Sequence, residues 1–99
     1  MVKKIIWTKA ADKTFDNITT YLDEKASLQA AQNFAQLVYD KIDSLVKNPS
    51  LGRKVATTKS IRVLNFGKHH QLYYRIEGKN LIISNFFDTR QDPKKRPFN

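Results

Sequence analysis

The fold is decided by residues 59–87, which read KSIRVLNFGKHHQLYYRIEGKNLIISNFF. β-Branched and aromatic residues dominate three runs in this stretch, at 59–66, 69–77 and 80–87. Gly67-Lys68 and Gly78-Lys79 stand between the runs, and a two-residue loop with Gly first is typical of a type II′ turn. The stretch therefore predicts two tight hairpins that join three strands into an antiparallel meander.

Two helices are predicted ahead of the meander. Apolar residues recur at helical spacing from Lys9 to Glu24, after an N-cap residue at Thr8. A longer apolar stripe follows Ser27, which can cap it, and stops at Asn48 because the residue before a proline avoids the helical basin. The connection at Lys25-Ala26 is so short that the two helices form an antiparallel hairpin.

A short strand opens the chain, since Val2 to Trp7 is rich in β-branched and aromatic residues. Together these elements predict one α+β domain over residues 1–99. It has an N-terminal strand, an antiparallel two-helix hairpin and a three-stranded antiparallel meander, with the helices packed on one face of the sheet. The stretch 89–99 contains two prolines and several basic residues, and is expected to be an irregular basic tail.

Apolar residues are expected on both faces of the sheet. Side-chain alternation opposes Ile61 and Val63 to Arg62, Leu64 and Phe66 in the first meander strand, and Leu81, Ile83 and Phe87 to Ile82 and Phe86 in the last. One helical hairpin covers only one face. The other face is covered either by a partner or by the opening strand, the tail and the 50–58 loop of the chain itself.

Positive charge is concentrated in the second half of the chain. Residues 1–51 hold 7 Lys/Arg against 6 Asp/Glu, whereas residues 52–99 hold 11 against 3, which together give the net charge of +9. A basic sheet beside nearly neutral helices predicts an anionic partner, either nucleic acid or an acidic protein segment.

Composition narrows the class of protein. The 99 residues are 40% apolar and 11% aromatic, which is enough for one core. The chain has no cysteine, so a reducing compartment fits, and it has no apolar run near the roughly 18 residues of a membrane span. We therefore expect a cytoplasmic protein with no membrane partner. No cofactor or metal is expected, since His69 and His70 have no acidic ligands at suitable spacing.

Five short motifs follow one another along the chain. They are Trp7-Thr8-Lys9-Ala10-Ala11, Asn48-Pro49-Ser50-Leu51-Gly52-Arg53, Ile61-Arg62-Val63-Leu64, Tyr73-Tyr74-Arg75-Ile76 and Asp88-Thr89-Arg90-Gln91-Asp92-Pro93. In this order and spacing, from Ile6 to Pro93, the chain resembles the RelE/ParE superfamily of bacterial type II toxins. The resemblance implies a growth-inhibiting toxin, of the kind tied to plasmid stabilisation, that is neutralised by a cognate acidic antitoxin.

The superfamily has two kinds of target. RelE-like members enter the ribosomal A site and cut mRNA, whereas ParE-like members inhibit DNA gyrase without nuclease activity. The resemblance thus implies DNA gyrase or the ribosome and mRNA as the target, and it leaves the oligomeric state open. A non-catalytic RNA-binding module is a third alternative, because basic strands carry aromatic residues. That alternative lacks the strand–helix alternation of such modules.

Metal-free RNA cleavage needs cations around the phosphate. The cations that could face one groove, and that are the predicted contacts to antitoxin or target, are Arg53, Lys54, Arg62, Arg75 and Arg90. Arg62 lies mid-strand, and its fork can pair with two phosphate or carboxylate oxygens. The structural alternative for Arg62 is a salt bridge to a carboxylate on a neighbouring element.

Cleavage also needs a base and an acid. For a nuclease the catalytic candidates are Arg62, His69, His70, Tyr73 and Arg90. Their structural alternatives are solvated hairpin positions for the two histidines and a cross-strand aromatic contact for Tyr73.

The end of the last strand decides between the two branches. RelE-like nucleases tend to place Tyr or His there, and ParE-like sequences often have His where this chain has Asp88. Asp88 could act as a base only with a raised pKa, and Arg90 nearby would lower that pKa. The missing base favours a ParE-like, non-catalytic toxin, with a ribosome-dependent endoribonuclease as the alternative.

Overall fold

The structure is a computed structural model that describes residues 2–98 of the chain. Its elements are, in order, β1 (Lys4–Trp7), α1 (Lys9–Lys25), α2 (Leu28–Lys47), β2 (Arg53–Lys54), β3 (Arg62–Phe66), β4 (His70–Glu77), β5 (Asn80–Asp88) and a 3-10 turn (Pro93–Lys95). The strands form one sheet in the order β1-β5-β4-β3-β2, and both helices pack on one of its faces. The predicted α+β fold is confirmed. Among the described residues, no helix combines the length and apolar character needed to cross a membrane.

Two edge strands complete the sheet around the meander. β1 pairs in parallel with β5, and β2, which the sequence did not predict, pairs antiparallel with β3. The strand expected from Lys59 begins only at Arg62, because the residues before it form a turn in which the Ile61 N–H donates to Thr58 Oγ1 at 3.1 Å. The tail, expected to be irregular, contains the 3-10 turn.

Both helices begin at their predicted caps. The Ala11 N–H donates to Thr8 Oγ1 at 3.0 Å, and the Ala30 N–H donates to Ser27 Oγ at 3.0 Å. These bonds satisfy backbone donors that the first turn of a helix leaves free. α2 ends at the cap residue Asn48, ahead of a proline as expected.

The two hairpin loops differ in length. Glu77 pairs with Asn80 and Gly78 has φ +60°, so the second loop has the predicted two residues. In the first loop, Phe66 pairs with His70, so the loop has three residues instead of the predicted Gly67-Lys68 pair. A change of one residue inverts which side chains face the core. The longer loop pairs Leu64 of β3 with Leu72 of β4, so that both side chains lie on the helix face.

β5 contains one residue that has no pairing partner in β4. Tyr73 pairs with Asn85 and Tyr74 pairs with Ile83, so Ser84 is an extra residue between two paired positions. Such a β-bulge interrupts the alternation of side chains along a strand. The faces of β5 therefore change over at Ser84.

Because of the bulge, the predicted faces of Phe86 and Phe87 in β5 are wrong. Strict alternation places Phe87 with Leu81 and Ile83, and Phe86 with Ile82. In the structure, Phe86 joins Leu81 and Ile83 in the core beneath the helices, and Phe87 belongs to a second cluster on the opposite face. The physical reason is Ser84, because an extra residue shifts the alternation of every side chain that follows it.

Polar side chains of α1 and its cap satisfy the backbone around the bulge. Thr8 Oγ1 donates to the Ser84 carbonyl at 2.8 Å, and the Thr8 N–H donates to the Ile83 carbonyl at 3.1 Å. Thr14 Oγ1 accepts from the Phe86 N–H at 2.9 Å. These bonds replace ladder bonds that an irregular strand loses, so helix and bulge hold each other in register.

Aromatic rings fill the space between helices and sheet. Trp7 of β1 lies 5.4 Å from Phe15 of α1 and 5.3 Å from Phe86 of β5, between ring centroids. Phe15 also contacts Phe34 of α2 at 5.6 Å. Such pairs add to the stabilisation from buried apolar area.

The second face of the sheet is covered by the chain itself. The Phe98 ring lies 5.6 Å from the Tyr73 ring, the Arg96 guanidinium lies 5.9 Å from the Phe87 ring centroid, and Thr57 Oγ1 donates to the Phe98 carbonyl. Of the two alternatives for this face, coverage by the chain itself is therefore correct for the tail and the loop before β3, whereas the opening strand instead extends the sheet as its edge strand β1. Five apolar side chains of this face are less than 8% exposed: Ile61, Val63, Tyr73, Ile82 and Phe87.

The turn after α2 is held by a buried tyrosine. Tyr74 is fully buried, and its hydroxyl donates to the Pro49 carbonyl at 2.7 Å and accepts from the Gly52 N–H at 2.9 Å. A Cβ at Gly52 would lie 2.8 Å from the Tyr74 hydroxyl and 2.8 Å from the Val63 carbonyl. Only glycine fits there, which gives the Asn48–Arg53 motif a structural role.

We predict that Tyr74→Phe lowers the free energy of unfolding by about 1–3 kcal/mol, because it leaves a buried N–H and a carbonyl without their partner. Urea denaturation followed by circular dichroism measures this change. The control is Tyr39→Phe, on a tyrosine that is 54% exposed, and it should change stability little. Equal stability of the Tyr74 variant and the unmodified chain would contradict the role of this hydroxyl.

Candidate functional site

The five predicted cations do not line one groove, contrary to the expectation from sequence. Arg53 pairs with Val63, and Arg75 pairs with Ile82, so both project from the face opposite the helices. Lys54 pairs with Arg62, which pairs in turn with Tyr74 on the helix face. Arg90 follows the end of β5. Strand alternation is the reason, because neighbouring residues of a strand take opposite faces.

Arg62 is bound to backbone rather than to a carboxylate. Its Nη1 donates to the Gly52 carbonyl at 2.6 Å and makes a longer contact of 3.4 Å to the Ser50 carbonyl. The guanidinium therefore stabilises the turn after α2, together with the Tyr74 hydroxyl. A phosphate-binding role for Arg62 remains a prediction.

Arg90 and Asp88 form a forked ion pair at the end of β5. Arg90 Nε donates to Asp88 Oδ1 at 3.0 Å, and Nη2 donates to Oδ2 at 2.6 Å. Burial of Asp88 works to raise its pKa, but the hydrogen bonds and charge of Arg90 outweigh it and lower the pKa. The lowered pKa agrees with the expected effect of Arg90 on Asp88. The carboxylate raises the pKa of Arg90 in turn.

The side chain of His70 is only 13% exposed, whereas the sequence favoured a solvated position. Its ring lies 4.7 Å from Phe34 and 5.5 Å from Phe66, between centroids. Neither ring nitrogen has a hydrogen-bond partner among the described residues, and Nε2 is 3.9 Å from Asp88 Oδ2. Burial lowers the pKa of His70, against the opposing effect of Asp88. His70 thus lies at the edge of the core, against Phe34 and Phe66, where burial disfavours its charged form.

The three remaining candidates are His69, Tyr73 and Arg75. His69 lies in the three-residue loop and not in a strand. Tyr73 is 3% exposed, and burial raises the pKa of its phenol. Its ring contact is with Phe98 of the tail, so it is not free to stack on a base. Arg75 Nε is paired with Glu77 at 2.9 Å.

A groove on the second face brings the predicted candidates Arg53 and Tyr73 together with residues that sequence reasoning missed. It has a volume of about 290 Å³ and lies between the segment 53–57 and the tail. Its floor holds Gln71, which is 6% exposed, and its rim holds Arg53 and Arg96. Gln71 was detectable, since it shares a strand face with Tyr73. Arg96 was not, because a tail without periodicity has no predictable orientation.

We predict that His70 makes stability decline with acidity. The pKa of His70 is lower in the folded protein than its ordinary value of 6.5, so the unfolded chain binds more protons as pH falls below that value. The free energy of unfolding should therefore fall between pH 7 and pH 5, by at most about 1.4 kcal/mol per pH unit for one proton. Asp88, with its lowered pKa, contributes a loss only at more acidic pH.

Urea denaturation at a series of pH values measures this slope. His70→Phe removes the titrating group and should flatten the slope between pH 7 and pH 5. The matched control is His69→Gln, which leaves His70 and its ring contacts in place and should keep the slope. An unchanged slope in His70→Phe would show that another group causes the loss.

Comparison with known proteins is consistent with this geometry. A family model described as the ParE toxin of a type II toxin-antitoxin system, parDE, matches residues 5–93. No curated protein matches the sequence.

Two solved structures share the fold. One is described as the chromosomal ParDE TA system from P. aeruginosa, with a TM-score of 0.74 and 21% identity, over 89% of this chain and 96% of that one. The other is the solution structure of the conserved hypothetical protein HP0894 from Helicobacter pylori, with a TM-score of 0.53 and 15% identity, over 92% and 98% of the two chains.

The expectation of a RelE/ParE superfamily member, drawn from short motifs, is confirmed by a family match that spans nearly the whole domain. The protein belongs to the family of ParE toxins of type II toxin–antitoxin systems.

Proposed function

We propose that this toxin inhibits growth by binding DNA gyrase through protein–protein contact, without catalysis, and that an acidic antitoxin neutralises it. The observation that carries the proposal is the state of the groups that would have to move protons in a nuclease. Asp88 is held ionised by Arg90, His70 packs against two phenylalanine rings, and Tyr73 is covered by the tail.

Each of these groups is poorly suited to general acid–base catalysis. A catalytic base works best with a pKa near the operating pH and within reach of its substrate. The pKa of Asp88 is lowered and that of Tyr73 is raised, so both pKa values are displaced away from neutrality. His70 is 13% exposed in its side chain and faces the core. This arrangement supports a toxin that acts by binding.

The aromatic residues do not support the alternative of an RNA-binding module. Base stacking requires exposed rings. The four aromatic residues of the basic strands named for that role are at most 3% exposed: Tyr73, Tyr74, Phe86 and Phe87.

The charge distribution supports an acidic inhibitor. The excess of positive charge lies in residues 52–99, at 11 Lys/Arg against 3 Asp/Glu. Among the described residues, only Arg75 and Arg90 of these cations make an ion pair with a carboxylate. Many exposed cations therefore remain available to a negatively charged partner, and electrostatic attraction would speed its association with the toxin.

The proposal predicts growth arrest when the chain is expressed from a tightly repressed promoter. DNA-damage signalling should rise and plasmid supercoiling should fall, while primer extension on abundant mRNAs should show no new cuts. Purified protein should inhibit ATP-dependent supercoiling by purified gyrase. The control is Gly52→Val, because its added side chain would overlap Tyr74 and the Val63 carbonyl and prevent folding.

Two results would contradict the proposal. Ribosome-dependent mRNA cuts with unaffected gyrase would establish the endoribonuclease alternative. Normal growth of cells that accumulate the folded protein would exclude both toxin mechanisms.

A further inference from the structure

We propose that the groove on the second face binds a carboxylate side chain of an acidic protein segment, clamped between Arg53 and Arg96. This inference rests on the proposed function, in which the acidic segment belongs to the antitoxin. It assigns the carboxylate to one location on a chain that carries many cations.

The groove combines positive charge with a polar floor. Tyr73 Oη donates to Gln71 Oε1 at 2.9 Å, and Gln71 Nε2 donates to Asn65 Oδ1 at 3.1 Å. Arg96 and Arg53 both lie close enough to the Tyr73 hydroxyl to oppose the rise in its pKa that burial causes. Two guanidinium groups therefore act on the same point in the floor of the groove.

Both arginines are unengaged by carboxylates within the described part of the chain. The Arg96 guanidinium is 5.9 Å from the Phe87 ring centroid, a cation–π contact that holds its plane without using its N–H groups. Arg53 is exposed on the edge strand β2. The pair can thus offer several donors to one carboxylate, as forked arginine–carboxylate contacts do.

The size and walls of the groove favour a peptide over a nucleic acid. About 290 Å³ accommodates an acidic side chain and a small neighbour rather than a nucleotide chain. The walls include apolar groups of Val55, Val63 and Pro97, which apolar residues of a protein segment would cover. A phosphate backbone would leave them facing its own hydration shell.

The test uses a capped hexapeptide of alternating valine and glutamate, titrated into isotope-labelled full-length protein made by cell-free synthesis. We expect shifts of the NMR signals of the Arg53 and Arg96 side chains and of the Gln71 amide. Affinity should fall as salt rises. The same peptide with glutamine for glutamate should bind at least about tenfold more weakly.

Matched variants locate the site. Arg53→Gln/Arg96→Gln should weaken binding of the acidic peptide about tenfold. Arg75→Gln, which removes a charge from the same face but one already paired with Glu77, should leave the affinity unchanged. Circular dichroism verifies that both variants are folded.

Three results would overturn the inference. They are equal affinity of the double variant, equal affinity for the glutamine peptide, and preferential binding of a hexauridylate RNA at the same residues. The inference is separable from the proposed function. Growth arrest with unchanged peptide binding in the double variant would exclude the site alone, whereas peptide binding by a chain that does not arrest growth would exclude the toxin mechanism alone.

Discussion

Tyr73 faces Asn85 across the β4–β5 ladder and Tyr74 faces Ile83, which leaves Ser84 unopposed in β5. An unpaired residue in a central strand would expose backbone groups within the core, at a cost of about 1–3 kcal/mol for each one left unsatisfied. The start of α1 removes this cost, since Thr8 and Thr14 bond the backbone on either side of the bulge. The position of α1 and the register of β5 are therefore set by the same contacts.

The contact between Asp88 and His70 and the groove on the second face both depend on this register. The bulge directs Phe86 into the core beneath the helices and Asp88 to the side of His70. It directs Phe87 to the opposite face, where Arg96 of the tail packs on its ring. Without the extra residue, Asp88 would face away from His70, and Arg96 of the tail would lose its contact with the Phe87 ring. A local irregularity in one strand thus organises the contact between His70 and Asp88 on one face and a cationic groove on the other.

The sequence predicted the parts of the fold that periodicity and capping determine. Thr8 and Ser27 marked the helix starts, the Gly78-Lys79 loop had the predicted length, and the motif order identified the superfamily. The bulge and the three-residue first loop were missed, because each adds one residue that only tertiary pairing reveals. The groove was missed for a related reason: the tail that carries Arg96 has no pattern that fixes its position on the sheet.

Cross-strand nuclear Overhauser effects test the central role of the bulge most directly. The structure requires contacts from the Phe86 ring to Trp7 and Phe15, at centroid distances of 5.3 and 5.7 Å, and contacts from the Phe87 ring to the Arg96 side chain. We expect each ring to show only its own set of contacts. Contacts from the Phe87 ring to Trp7 and Phe15 would mean that β5 alternates without interruption, and the arrangement of both faces described above would then be incorrect.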